Sequence, residues 1–399
     1  MIKIRIFLIS AGFLSLLQFG CGKKNEQENH WRPPDKPAFY VWQRKWDNSL
    51  VKAVKERNRK TYLLAAEFSL KGKLIRCART AIPEQIKKQD THCWVFRINN
   101  GLLNKLEVDV IVKEFRRLGG NELQLDLDCP ESKMLDYARY ISKLREKIPD
   151  AELSITVLPV HLTHREFGRM VSKLDYYVLQ VHGLKIPENI NDDMSIVKRS
   201  TAIPAVKHAE KLGFPYLIAL PAYAYQLYFD KRNGNFKLLS AGYFPRKNKN
   251  LISQLTTLDM VLLRDIIKMK RNGGIVWFHF PAAGDRLSLD ISALDMLERG
   301  FIPAPSVRIL CERNQDGFIE LYVLTQNIII LGRFEIKIEW PMRMGEFDLF
   351  NGARNMSGDS SFMALPDTLS VPYSACGKKL KIGTFYVNTK PENIKVTLK

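Results

Sequence analysis

The chain has 399 residues, 46% of them hydrophobic, with a formal charge of +19 and a sequence pI of about 9.6. This composition excludes a disordered or fibrous protein and allows one large domain or two ordinary ones. The basic balance favours anionic partners in general, but no basic helix, RNP-like run or zinc-finger spacing supports nucleic acid; the charge reads as a solvated basic surface.

The N-terminus has Lys3 and Arg5, an apolar run from Ile6 to Leu17, Gly20-Cys21, and then polar GKKNEQENH. The run is too short for a comfortable membrane span and fits a secretory signal peptide. A cysteine after a small residue resembles a bacterial lipobox. Gln18 stands where that motif usually has Leu, Leu17 is one step further off, and Phe19 is bulky. The expectation is a signal segment over 1–21 with Cys21 lipidated, against ordinary cleavage near Gly20 or an uncleaved anchor. The lipid would hold the protein in the cell envelope, and Gly22 in place of Asp points to the outer membrane where there are two. Residues 22–37, polar and then proline-bearing, read as a tether. Cys77, Cys93, Cys129, Cys311 and Cys376 remain. An odd number leaves at least one unpaired, or all are reduced. Cys311 and Cys376 share the C-terminal region as a possible pair. No Cys/His spacing suggests zinc, and no metal or other cofactor is expected.

From residue 38 one pattern recurs. A β-rich run is followed by a charged segment of helical period. The runs are 38–44, 61–68, 93–99, 122–128, 152–159, 175–183, 215–223 and 273–281. The predicted helices are 48–57, 107–118, 131–147, 164–173, 202–212, 258–270 and 291–299, with a weak signal at 84–88. Alternating strand and helix argues for parallel strands with helical crossovers. Eight units in roughly 265 residues match a (β/α)8 TIM-type barrel, placed at 38–300. A doubly wound open sheet is the runner-up, but no GxGxxG follows the first strand. After the seventh run, YQLYFD and FKLLSAG flank KRNGN, a hairpin signal. This insertion would overhang the C-terminal face. Over 301–399 helical periodicity ends and short β-like runs predict a small β-sandwich domain.

Strand parity locates the polar residues. In ELQLDLD, Leu123, Leu125 and Leu127 suit the helix layer, so Gln124, Asp126 and Asp128 face the barrel. The same reading turns inward Tyr40, Trp42, Glu67, Arg97, Ser154, Thr156, Gln180, His182 and His279. They gather at one end of the barrel. A purely structural account makes Glu67, Arg97 and Asp126 a buried ion network plugging the barrel. It makes the histidines and Trp42 interior packing.

The series Trp42-Gln43-x-x-Trp46, Glu67, Gln124-x-Asp126-x-Asp128, Ser154-Ile155-Thr156-x-Leu158-Pro159, Gln180-Val181-His182 and Ala219-Leu220-Pro221-x-Tyr223 resembles the bacterial family catalogued as domain of unknown function 3142. The resemblance covers roughly 39–281 and implies an exported, barrel-shaped, glycoside-hydrolase-like protein. More distantly, Asp126-x-Asp128 is similar to the D-x-D-x-E of family 18 glycoside hydrolases. Pro130 stands where that family has its general-acid Glu, and Glu131 comes one residue late. The expectation is therefore a glycosidase-like site that acts on or binds a glycan. Asp128 is the candidate acid, Asp126 its orienting neighbour and Glu67 the second carboxylate, with Arg97 holding Glu67 or Asp126 ionised. Trp42, Arg97, Gln180, His182, Tyr223, Tyr225 and His279 would shape the sugar site. The alternative is a non-catalytic glycan-binding surface lipoprotein. A hydrolase of another bond on the same fold is a third possibility, but no GxSxG or HExxH motif supports it.

Overall fold

The computed structural model describes residues 31–89, 91–241, 250–271, 273–282, 285, 287–304 and 306–326, and beyond these the strands given below. Chain order begins β1 (Ala38–Val41), α1 (Asn48–Arg57), β2 (Thr61–Lys71), β3 (Leu74–Arg79), α2 (Glu84–Lys87), β4 (His92–Ile98) and α3 (Val108–Leu118). It continues with β5 (Glu122–Asp126), α4 (Met134–Lys147), β6 (Glu152–Val157), α5 (Phe167–Val171), β7 (Tyr176–Gln180), α6 (Arg199–Leu212) and β8 (Tyr216–Pro221). An insertion of β9 (Gln226–Asp230), β10 (Phe236–Ser240) and β11 (Leu251–Leu255) precedes α7 (Met260–Met269), β12 (Gly274–Phe278) and α8 (Ile291–Glu298).

Strands β1, β2, β4, β5, β6, β7, β8 and β12 pair in parallel and close a barrel, because β12 returns to β1. Each coincides with one of the eight runs read from the sequence, with β2 running three residues past its run and β4 starting one residue before its run, and closure rules out the open sheet. Outward residues such as Leu123, Leu125 and Leu127 pack into one core with the helices and are at most 1% exposed. At roughly 1.5–3 kcal/mol for each such side chain, this burial fixes strand parity. Aspartates 47, 259 and 290 start α1, α7 and α8 by accepting a backbone N–H at the third following residue.

The interior is layered. At the bottom, Tyr62, Tyr176 and Glu122 are hydrogen-bonded, and Lys60 pairs with Glu122. Trp31 stacks on Tyr176 with ring centroids 4.2 Å apart. A Cβ placed on Gly274 would lie 2.9 Å from Pro33. The last residues of the proposed tether thus sit beneath the barrel. In the middle layer Tyr40 donates to Gln124, whose amide reaches Ser154 Oγ at 3.1 Å.

Strand β2 departs from simple alternation. Its register with β4 slips between Leu64 and Ala66, so one extra residue lies in β2. Such a bulge shifts the alternation by one. Tyr62 below and Glu67 above therefore both face inward. Beyond the bulge β2 runs on and turns at Gly72 (φ +63°) into the antiparallel strand β3, which the sequence reading did not anticipate. The predicted hairpin of the insertion is present as β9–β10, and β11 adds a third strand on β9. The helix expected at 164–173 is the shorter α5.

Past residue 305 the strands are antiparallel. The first sheet is β13 (Ser306–Arg313), β14 (Ile319–Gln326), β20 (Lys379–Tyr386), β16 (Met344–Leu349) and β18 (Phe362–Ala364). The second is β17 (Arg354–Asn355), β19 (Asp367–Pro372), β15 (Arg333–Glu339) and β21 (Lys395–Leu398). These two sheets form the expected C-terminal β-sandwich. Cys77, Cys93, Cys129 and Cys311 are free; Cys21 and Cys376 lie outside the described residues. No described helix is long and apolar enough to cross a membrane.

Candidate active site

A cleft of about 390 Å³ opens at the C-terminal mouth of the barrel. Its lining includes Glu67, Arg76, Arg97, Asn99, Asp126 and Asp128. Cross-strand register builds it directly: Asp126 is opposite Arg97, Arg97 opposite Glu67, and Glu67 opposite Ala78 of β3. Four adjacent strands thus supply one row of side chains.

The two aspartates sit in different environments. Asp126 is 7% exposed. Its Oδ1 accepts from Thr156 Oγ1 at 2.9 Å and from Gln180 Nε2 at 3.5 Å, and its Oδ2 lies 3.9 Å from Arg97 Nε. Burial pushes its pKa up to about 6, the nearby Asp128 adds to the rise, and Arg97 opposes it. Asp128 follows β5 and is exposed to solvent in the cleft.

Glu67 is gripped by Arg44, which donates from Nε at 2.6 Å and from Nη2 at 2.7 Å. This fork was missed, although residues 40, 42 and 44 share one parity. Arg97 stands 5.7 Å from the Trp42 ring centroid, and its side chain is 44% exposed. A buried ion network of Glu67, Arg97 and Asp126 is therefore not what fills the barrel. The plug consists of the hydrogen bonds below, with Lys60–Glu122 as its ion pair.

Beside the cleft the aromatic residues form a continuous cluster. Trp42 lies 5.2 Å from Phe278, and Phe278 lies 5.0 Å from His182 and 5.6 Å from Tyr223. Tyr225 is 5.1 Å from Tyr223. The Tyr223 hydroxyl is 3.3 Å from His182 Nδ1, while His182 Nε2 is buried without a partner among the described residues. Burial, reinforced by His279, holds His182 neutral down to about pH 4. His279 Nε2 lies 2.9 Å from both Asp285 Oδ2 and Ser288 Oγ. Both partners meet the same ring nitrogen, so they fix the imidazole rather than relay a proton through it. Phe278, central to this cluster, was not among the sequence candidates, though its parity with Val276 places it in the interior layer.

The structure thus gathers Glu67, Arg97, Asp126 and Asp128 into one cleft, with Trp42 and Gln180 at its border and His182, Tyr223, Tyr225 and His279 in the adjoining cluster. Glu131 is exposed at the first residue of a 3-10 turn and is not part of the lining. Among the described residues no group of His, Cys, Asp or Glu side chains is placed to hold a metal ion.

Several solved structures are similar to this chain. The Bacillus cereus spore cortex-lytic enzyme SleL is 13% identical over 63% of this chain and 72% of its own, with a TM-score of 0.45. The C-terminal domain of a putative chitinase from Desulfitobacterium hafniense DCB-2 is 10% identical over 66% and 99%, with a TM-score of 0.44. The GH18 chitinase ChiB of Flavobacterium johnsoniae is 10% identical over 62% and 88%, with a TM-score of 0.42. No curated protein matches the chain. Residues 97–283, which run from the end of β4 past β12 and include both aspartates, match the family model described as Domain of unknown function (DUF3142).

Proposed function

We propose that the protein is a glycoside-hydrolase-like enzyme that acts on a glycan at the mouth of its barrel. One observation carries this reading: a buried carboxyl with pKa about 6 lies beside a solvent-exposed one in the same cleft. Cleaving a glycosidic bond needs a proton for the leaving oxygen and a second carboxyl to activate the attacking water. On this reading Asp126, the buried carboxyl, is the donor and Asp128 the acceptor, the reverse of the roles expected from the sequence. Asp126 gives its proton to the glycosidic oxygen as the anomeric C–O bond breaks. Water forms the new bond to that carbon, and its proton goes to Asp128. Glu67, held by Arg44, serves as a wall of the site. The Trp42–Phe278–Tyr223 cluster offers rings to the apolar faces of sugars.

The test is product release from a panel of glycans by the wild type, Asp126→Asn and Asp128→Asn. Each substitution is expected to lower turnover by about 10²–10⁴-fold. Turnover that neither substitution affects would refute the assignment. A second reading, non-catalytic glycan binding, is favoured by Pro130 at the position of the family 18 acid; binding without product release from any glycan would establish it. The N-terminal motif supports an envelope lipoprotein anchored through Cys21. Mass spectrometry of the mature protein should find lipid on that residue, and an unmodified Cys21 would end the idea.

A further inference from the structure

The arginines around the cleft are unequally satisfied. Arg44 forks onto Glu67. On β3, Arg79 forks onto Glu114 at 2.9 Å. Arg97 faces Asp126 at 3.9 Å. Arg76, on β3 between Ile75 and Cys77, lines the cleft, and among the described residues no carboxylate pairs with it. Arg76 is opposite Ser69, and Ala78 opposite Glu67, all four lining the cleft, so Arg76 stands one two-residue step towards the hairpin turn. From β5 to β3 the cleft crosses three strand spacings, or about 14 Å.

Apart from Arg97, which faces Asp126, Arg76 shares its end of the cleft with a second donor. Asn99 lines the cleft, and its Oδ1 accepts the Gly101 N–H at 3.2 Å, which leaves its amide NH₂ as a donor. The cleft is therefore polarised, with the aspartates at the barrel mouth and Arg76 and Asn99 on the hairpin side. A guanidinium fork matches a planar carboxylate in shape and charge.

We infer that the cleft selects a glycan bearing a carboxylate, and that Arg76 receives this group on a sugar next to the one held at the aspartates. The inference rests on the proposed glycan site and names its substrate class. The chain's +19 charge would draw such a ligand in.

The experiment measures binding and product release with purified full-length protein. The probes are oligogalacturonides and hyaluronan oligosaccharides, each paired with its carboxyl-reduced form. For at least one pair, the acidic form should bind about 10-fold or more tightly than the reduced form. Arg76→Gln should abolish that preference while leaving affinity for the reduced form within about 2-fold, and Arg76→Lys should restore part of it. Arg76 is exposed on a hairpin, and unchanged thermal unfolding of the variants would confirm that the fold is kept. Equal affinity for acidic and reduced forms, equal weakening of both by Arg76→Gln, or binding of no probe would overturn the inference. Asp126-dependent cleavage without an acidic preference would leave the catalytic reading standing and remove this one. An Arg76-dependent preference without turnover would do the reverse.

Discussion

Asp126 links the residue scale to a measurable pH dependence. Its pKa is raised from the usual 3.8 to about 6, so the folded state holds the proton more tightly than the unfolded chain does. The resulting stability is fully present below about pH 3.8 and is lost as pH rises through about 6. At roughly 1.4 kcal/mol per pH unit, the loss is on the order of 3 kcal/mol. Asp126→Asn removes this titration, so its unfolding free energy relative to wild type should rise by about that amount between pH 4 and pH 7. Denaturant unfolding across this range measures it, and parallel wild-type and variant curves would show Asp126 to be solvated. The same group predicts that turnover declines above about pH 6, where the donor loses its proton. The exposure of Arg97 also corrects an expectation. Arg97→Gln should cost less than about 1 kcal/mol of stability. Lys60→Met leaves the buried Glu122 without its cation and should cost about 3–5 kcal/mol, as thermal unfolding of both variants will show.

At the scale of elements, the barrel strands were legible because burial forces alternation. Leucines 123, 125 and 127 claim the helix side, and the aspartates follow on the other. The β2–β3 unit was not legible. The extra residue between Leu64 and Ala66 has no signature in TYLLAAEF, since Leu63, Leu64, Ala65 and Ala66 are all apolar and show no alternation. The turn did leave a signal: Lys71-Gly72-Lys73 separates two β-rich runs, and Gly72 takes a positive φ. Gly72→Val should destabilise the protein by about 1–2 kcal/mol through backbone strain, since no atom crowds the added side chain. It should also weaken glycan binding by loosening the strand that carries Arg76. An unchanged melting temperature would place the turn in another conformation. The site was accordingly legible on β1, β4, β5 and β7, where parity is unbroken. It was hidden on β3, and at Arg44, whose partner lies 23 positions along the chain.

On the whole-molecule scale, closure of eight strands turns residues distant in sequence into one mouth. The bottom is sealed by Trp31, Tyr176, Tyr62 and Glu122, and the middle by Tyr40, Gln124 and Ser154. The top opens to solvent, with the carboxyl pair on one side and the aromatic cluster beside it. This division fits the general separation of stability and chemistry between the two ends of such barrels. The most direct test of the account is the pH–rate profile of glycan cleavage by the wild type, compared with Asp126→Asn. Wild-type cleavage should fall as pH rises above about 6 and should be at least about 100-fold slower in the variant. Cleavage at wild-type rates in Asp126→Asn, with the same pH dependence, would contradict it.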